Sequence, residues 1–71
     1  MVKFDRHARR RMKWRKISEA DVIMTLENPE KIEDTIQGRK NAYRLIEGRL
    51  LRVTYKIYPQ EILVISAVVK D

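Results

Sequence analysis

The sequence predicts an α+β domain: two N-terminal helices packed on a four-stranded antiparallel sheet. Two observations lead there. Residues 5–28 contain neither Gly nor Pro and carry two residues suited to capping helices. Beyond Pro29 the helical period gives way to four β-branched and aromatic runs, separated by short turn segments. At 71 residues the chain forms one domain, spanning residues 1–71, with a small core.

The first helix is placed at residues 5–15, with Asp5 as its N-cap. Ser18 caps a second helix, where Glu19 and Asp21 suit the positive end of the helix dipole; that helix reaches Asn28 and stops at Pro29. The strands follow as KIEDTI, NAYRLIE, RLLRVTYKI and EILVISAVV, joined by QGRK, EG and YPQ. Connections this short suit an antiparallel meander, since parallel strands need longer crossovers. The last run is apolar on both faces and belongs in a central or covered position, whereas KIEDTI has the composition of an edge. Both helices then cover one face of the sheet.

Composition narrows the function. Sixteen Lys and Arg against ten Asp and Glu give a net charge of +6, which favours RNA or an acidic protein as partner. With no cysteine and one histidine, disulfides, thiolate metal sites and His-rich metal sites are excluded, and no cofactor is expected. The sequence shows no signal-peptide apolar region and no run near the ~18 residues of a membrane span, so the expectation is a cytoplasmic protein without membrane contact. A core this small leaves room for added support from a partner protein or a homodimer.

The first helix holds the densest chemistry. At about 100° per residue, Phe4, Ala8 and Met12 form one stripe, and Arg6, Arg9, Arg10 and Lys13 spread over the opposite, solvated side. His7 falls at the edge of the stripe, Arg11 and Arg15 fall beside it, and Trp14 is close by; these are expected to point toward the sheet or its rim. Inward-leaning arginines need anionic partners, either glutamates such as Glu27, Glu30 or Glu33, or phosphates. RNA cleavage through the 2′-hydroxyl needs a proton acceptor, a proton donor and cations on the phosphate. His7 can act as general acid or base, and Arg11 and Arg15 can bind phosphate bidentately. On the strands, Arg44, Arg52 and Lys56, together with Arg10, are candidate RNA-binding cations. Alternation with solvent gives the same pattern and is the simpler account of Arg52 and Lys56. Tyr43, Tyr55 and Ser66 are further strand residues with usable hydroxyls, Tyr55 falling on the core face.

Two stretches resemble known bacterial families. His7-Ala8-x-x-Arg11-Met12-x-x-Arg15-x-Ile17-Ser18-Glu19, followed by Leu26-Glu27-Asn28-Pro29, resembles a widespread family of unknown function whose members open with His-Ala-x-x-Arg. Gly48-Arg49-Leu50-Leu51-Arg52-Val53-Thr54-Tyr55 and Ile65-Ser66-Ala67 are similar to strands of the BrnT toxins, which in turn resemble the RelE group of ribonuclease toxins. This resemblance implies a RelE/BrnT-like fold, RNA as substrate, no metal, and an acidic antitoxin covering the active face. Where the BrnT pattern Ile-Ser-Ala-Arg has its arginine, this chain has Val68.

The expected function is therefore a toxin-like, metal-independent ribonuclease or toxin-related RNA-binding domain. The alternative is a non-catalytic module that binds protein or RNA through the same basic side. A helix-turn-helix DNA reader fits less well, because the second helix is acidic at the end that would meet DNA. Only five aromatic residues are present and the core needs several, which argues against an aromatic platform for base-specific recognition.

Overall fold

The computed structural model describes residues 1–70. A short strand β1 (Val2–Phe4) precedes two helices, α1 (Arg6–Arg15) and α2 (Glu19–Glu27). Four strands follow: β2 (Lys31–Asp34), β3 (Arg39–Ile46), β4 (Arg49–Tyr58) and β5 (Glu61–Lys70). The sheet order is β1-β5-β4-β3-β2.

The α+β architecture is as expected, but the sheet has five strands and is mixed rather than four-stranded and antiparallel. The meander β2 to β5 is antiparallel throughout, and β1 adds to β5 in parallel, Val2 opposite Ile62 and Phe4 opposite Val64. Three residues are too few to display a strand period, so β1 is defined by its partner. The Ile62 N–H donates to the Met1 carbonyl at 2.8 Å, and the Asp5 N–H to the Val64 carbonyl at 3.0 Å. Val2 and Phe4 gain burial against the core in return.

Both helix starts are built as anticipated. The Asp5 carboxylate accepts from the His7 N–H at 3.4 Å and the Ser18 hydroxyl from the Asp21 N–H at 3.0 Å. At the end of α1, Lys16 turns left-handed (φ 57°) and its N–H returns to the Lys13 carbonyl, while the Ile17 N–H reaches the Met12 carbonyl at 2.9 Å. That double bond pattern is a Schellman motif, and it drives Ile17 into the core. The two-residue turn between β3 and β4 uses two left-handed residues, Glu47-Gly48, the geometry that matches strand twist, whereas β2 and β3 are joined by a 3₁₀ turn over Ile36–Gly38 in which Gln37 and Gly38 have positive φ.

The core lies between the helices and one sheet face. Leu51 and Val53 of β4, Val64 of β5 and Val22 of α2 are wholly buried, with Ala8, Met12, Ile17, Ile46 and Ala67 around them. Tyr55 is on this face, as its alternation predicted. Helix α1 packs on β5, and α2 on β3 and β4. Between Thr54 and Tyr55 the register with β5 shifts by one residue, making Ile65 an extra residue in a bulge. No helix covers the second sheet face, to which β3 and β4 contribute Asn41, Tyr43, Leu45, Leu50, Arg52, Thr54 and Lys56. Among the described residues no helix is long and apolar enough to cross a membrane.

Candidate nucleic-acid interface

The ten residues of α1 include five arginines, one lysine and no carboxylate. Burial of Ala8 and Met12 against the sheet orients the helix, and every other residue of α1 is exposed. Arg6 and Arg10, Arg9 and Lys13, and Arg11 and Arg15 are like-charged pairs one turn apart, each costing the helix about 0.2–0.5 kcal/mol. Little within the protein offsets this. Among the described residues Arg9 alone has an ionic partner, Glu19 at 3.5 Å, and its guanidinium also lies over the Phe4 ring, 5.5 Å from the centroid. Other ion pairs sit elsewhere: Lys3 with Glu61, Lys31 with Glu33, Lys40 with Asp34, and Arg49 with Asp21.

His7, Arg11 and Arg15 do occupy one flank of α1, on successive turns. The expectation that they lean inward holds only for Arg15, whose Nη1 donates to the Ala67 carbonyl at 2.9 Å. The partner is a main-chain oxygen of β5 rather than Glu27, Glu30, Glu33 or a phosphate. His7 and Arg11 are exposed, and neither side chain forms a hydrogen bond or ion pair among the described residues. Trp14 also departs from its expected place at the rim of the sheet: it is 79% exposed, projecting into solvent. With Arg9, Arg10 and Lys13 it lines a shallow groove along the outer side of α1.

The strand cations separate into two environments. Arg44 lies on the helix-facing side of β3 and donates from Nη1 to the Asn28 carbonyl at 2.8 Å. There it closes the C-terminal end of α2, where a cation is favoured by the helix dipole. Arg52 and Lys56 are on the uncovered face, with the Lys56 ammonium 5.6 Å from the centre of the Tyr58 ring. Beside Arg52, Tyr43 donates its hydroxyl to Glu33 at 2.6 Å, and Lys31 approaches the other carboxylate oxygen at 3.3 Å. The Tyr43 hydrogen bond first, and then Lys31, hold the Glu33 carboxyl below its ordinary range. Thr54 donates to Asn41 at 2.7 Å on the same face. Glu33 offsets part of the positive charge that the strand pattern suggested, but the Arg52 Nε is buried without a hydrogen-bond partner among the described residues. Alternation in β3 and β4 revealed which side chains share the face, but the Glu33 contribution depended on β2 register.

The seven proposed site residues therefore do not form one constellation. His7, Arg10 and Arg11 are together on the exposed part of α1 and Arg15 is tied to β5; Arg44 supports α2, and Arg52 and Lys56 face the other way. Among the described residues no three His, Asp or Glu side chains converge as metal ligands.

A two-layer α+β domain with one highly basic helix is the class that fold and surface define. The chain belongs to the family described as Domain of unknown function (DUF4258), which it matches over residues 4–69. No curated protein and no solved structure gives a significant match.

Proposed function

We propose that this protein is an RNA-binding domain of toxin-like type, with the exposed side of α1 as its contact surface. One observation carries the reading: six cations share one ten-residue helix, and among the described residues only Arg9 has an ionic partner. A folded domain that tolerates this self-repulsion has a ready place for polyanion phosphates, and guanidinium groups supply bidentate contacts to them. The resemblance of the strands to those of the BrnT toxins, which in turn resemble the RelE ribonucleases, favours RNA among polyanions. In that family setting, an acidic antitoxin is the protein partner to seek.

Binding is tested by titrating labelled RNA at several salt concentrations. Affinity falls linearly on a log–log plot, with a slope of about −0.7 for each phosphate contact to a single strand. Salt-independent binding, or no binding at 50 mM salt, removes the proposal.

Metal-independent RNA cleavage is the second reading, favoured by His7 and Arg11 standing one turn apart with free side chains. His7 would exchange the proton of the 2′-hydroxyl or leaving oxygen, and Arg11 would neutralise the phosphate as charge grows. Arg15 could contribute only by exchanging its Ala67 contact for phosphate. Cleavage of RNA in excess EDTA, lost in His7→Ala with the fold intact, supports this reading; cleavage unchanged in that variant eliminates His7 from the chemistry.

A further inference from the structure

We infer that Trp14 is a base-stacking residue, and that the RNA bound by α1 is single-stranded; this rests on the RNA-binding reading above. Trp14 is 79% exposed, whereas the other apolar residues of α1, Ala8 and Met12, are each 2% exposed. An indole left this open forgoes one of the largest hydrophobic gains available to a side chain. Its immediate surroundings are cationic: Arg10 lies one turn earlier on the helix, Arg11 three residues earlier, and Arg9, Arg10 and Lys13 share its groove.

These surroundings select the ligand. A protein interface places apolar and aromatic neighbours around a central tryptophan, and here the lining residues are charged. An interfacial membrane helix needs a continuous apolar face, but the apolar side of α1 is already used against β5. A single nucleic-acid strand has the missing combination, phosphates for the arginines and lysine and an unstacked base for the indole. In an RNA duplex the base faces are occupied by one another, and the narrow major groove excludes side chains. One platform residue gives sequence-tolerant binding, since every base presents a π-face.

Trp14 is the only tryptophan, so intrinsic fluorescence reports this contact directly. The protein is titrated with a single-stranded oligouridine, an abasic strand of equal length and charge, an RNA duplex, and vesicles containing phosphatidylserine. Oligouridine is expected to quench the fluorescence and to bind more tightly than the abasic strand. Stacking one base on an aromatic side chain is worth roughly 5- to 150-fold in affinity. Trp14→Ala should remove that advantage and Trp14→Phe should keep most of it, with circular dichroism checking the fold. Equal affinity of the unaltered protein for oligouridine and abasic strand, or preference for duplex, overturns the inference while leaving RNA binding in place. A fluorescence blue shift with vesicles and none of the expected quenching by RNA overturns it in favour of a membrane surface. Failure of every nucleic acid to bind overturns the underlying RNA reading as well.

Discussion

Arg15, in the last turn of α1, donates a hydrogen bond to the main-chain carbonyl of Ala67, 52 residues away and 2.9 Å distant. Ala67 lies in β5 beyond Val64, the last residue that β1 pairs. β4 pairs Ala67 through Val53 along one edge of β5, and the guanidinium takes a carbonyl of the stretch that β1 leaves uncovered along the other, joining the first helix to the last strand. A charge-assisted bond to a partly buried acceptor is worth about 1–2 kcal/mol. Arg15→Ala should lower urea stability by about that amount, and Arg15→Lys by less. A phosphate-binding role without a structural one predicts unchanged stability in both variants.

Acid stability should depend on the Glu33–Tyr43 pair. The Glu33 carboxyl is held below its ordinary range, first by the Tyr43 hydroxyl and then by Lys31. A lowered folded-state pKa contributes stability at pH above the unfolded carboxyl value of about 4.3, and that contribution disappears as pH falls through the folded value. Tyr43→Phe removes the leading cause, so the Glu33 titration followed by carboxyl NMR shifts should move upward. Loss of stability on acidification should become shallower in the same variant. A Glu33 titration indifferent to Tyr43 would show that the hydroxyl does not act on it.

Helix caps, the position of Pro29, the β2–β5 meander and the core face of β4 were legible in the sequence because each depends on neighbours a few residues apart. Strand β1 was not, since three residues carry no period and its hydrogen bonds come from β5. The arginines were half legible. Helical angle placed His7, Arg11 and Arg15 on one flank, yet angle alone does not distinguish a side chain that reaches a carbonyl from one that ends in water. Trp14 was legible but misread, because it stands one turn after Arg10 on the solvated side and the same helical angle already points it into water.

The Schellman turn after α1 offers a gain in stability. Lys16 holds a left-handed conformation with φ 57°, which its Cβ disfavours and glycine adopts without strain. The contacts at this position are made by its main chain, whose carbonyl accepts from Arg49 Nη2 at 3.3 Å. Lys16→Gly should therefore raise stability by about 0.5–1 kcal/mol after the greater unfolded-state entropy of glycine is counted. The measurement is the denaturation midpoint at unchanged slope; a lower midpoint would mean that the lysine stem contributes packing that outweighs the backbone strain.

Repulsion within α1 makes the central functional proposal separable from an ordinary structural role. Arg10 lies one turn after Arg6 and three residues before Lys13, near the middle of the helix and exposed, with no ionic partner among the described residues. Arg10→Glu turns two repulsive pairings into attractive ones and should stabilise the domain by about 0.5–1 kcal/mol at low ionic strength. That gain should shrink toward zero in 1 M salt, where the screening length is about 3 Å. The same change removes a phosphate contact and repels the next phosphate. RNA affinity should consequently fall, and the salt slope should lose about 0.7 or slightly more. Stability and binding moving in opposite directions is the result expected of a helix whose charge serves a ligand. If both fall together, Arg10 is a structural residue and the contact surface must be sought away from α1.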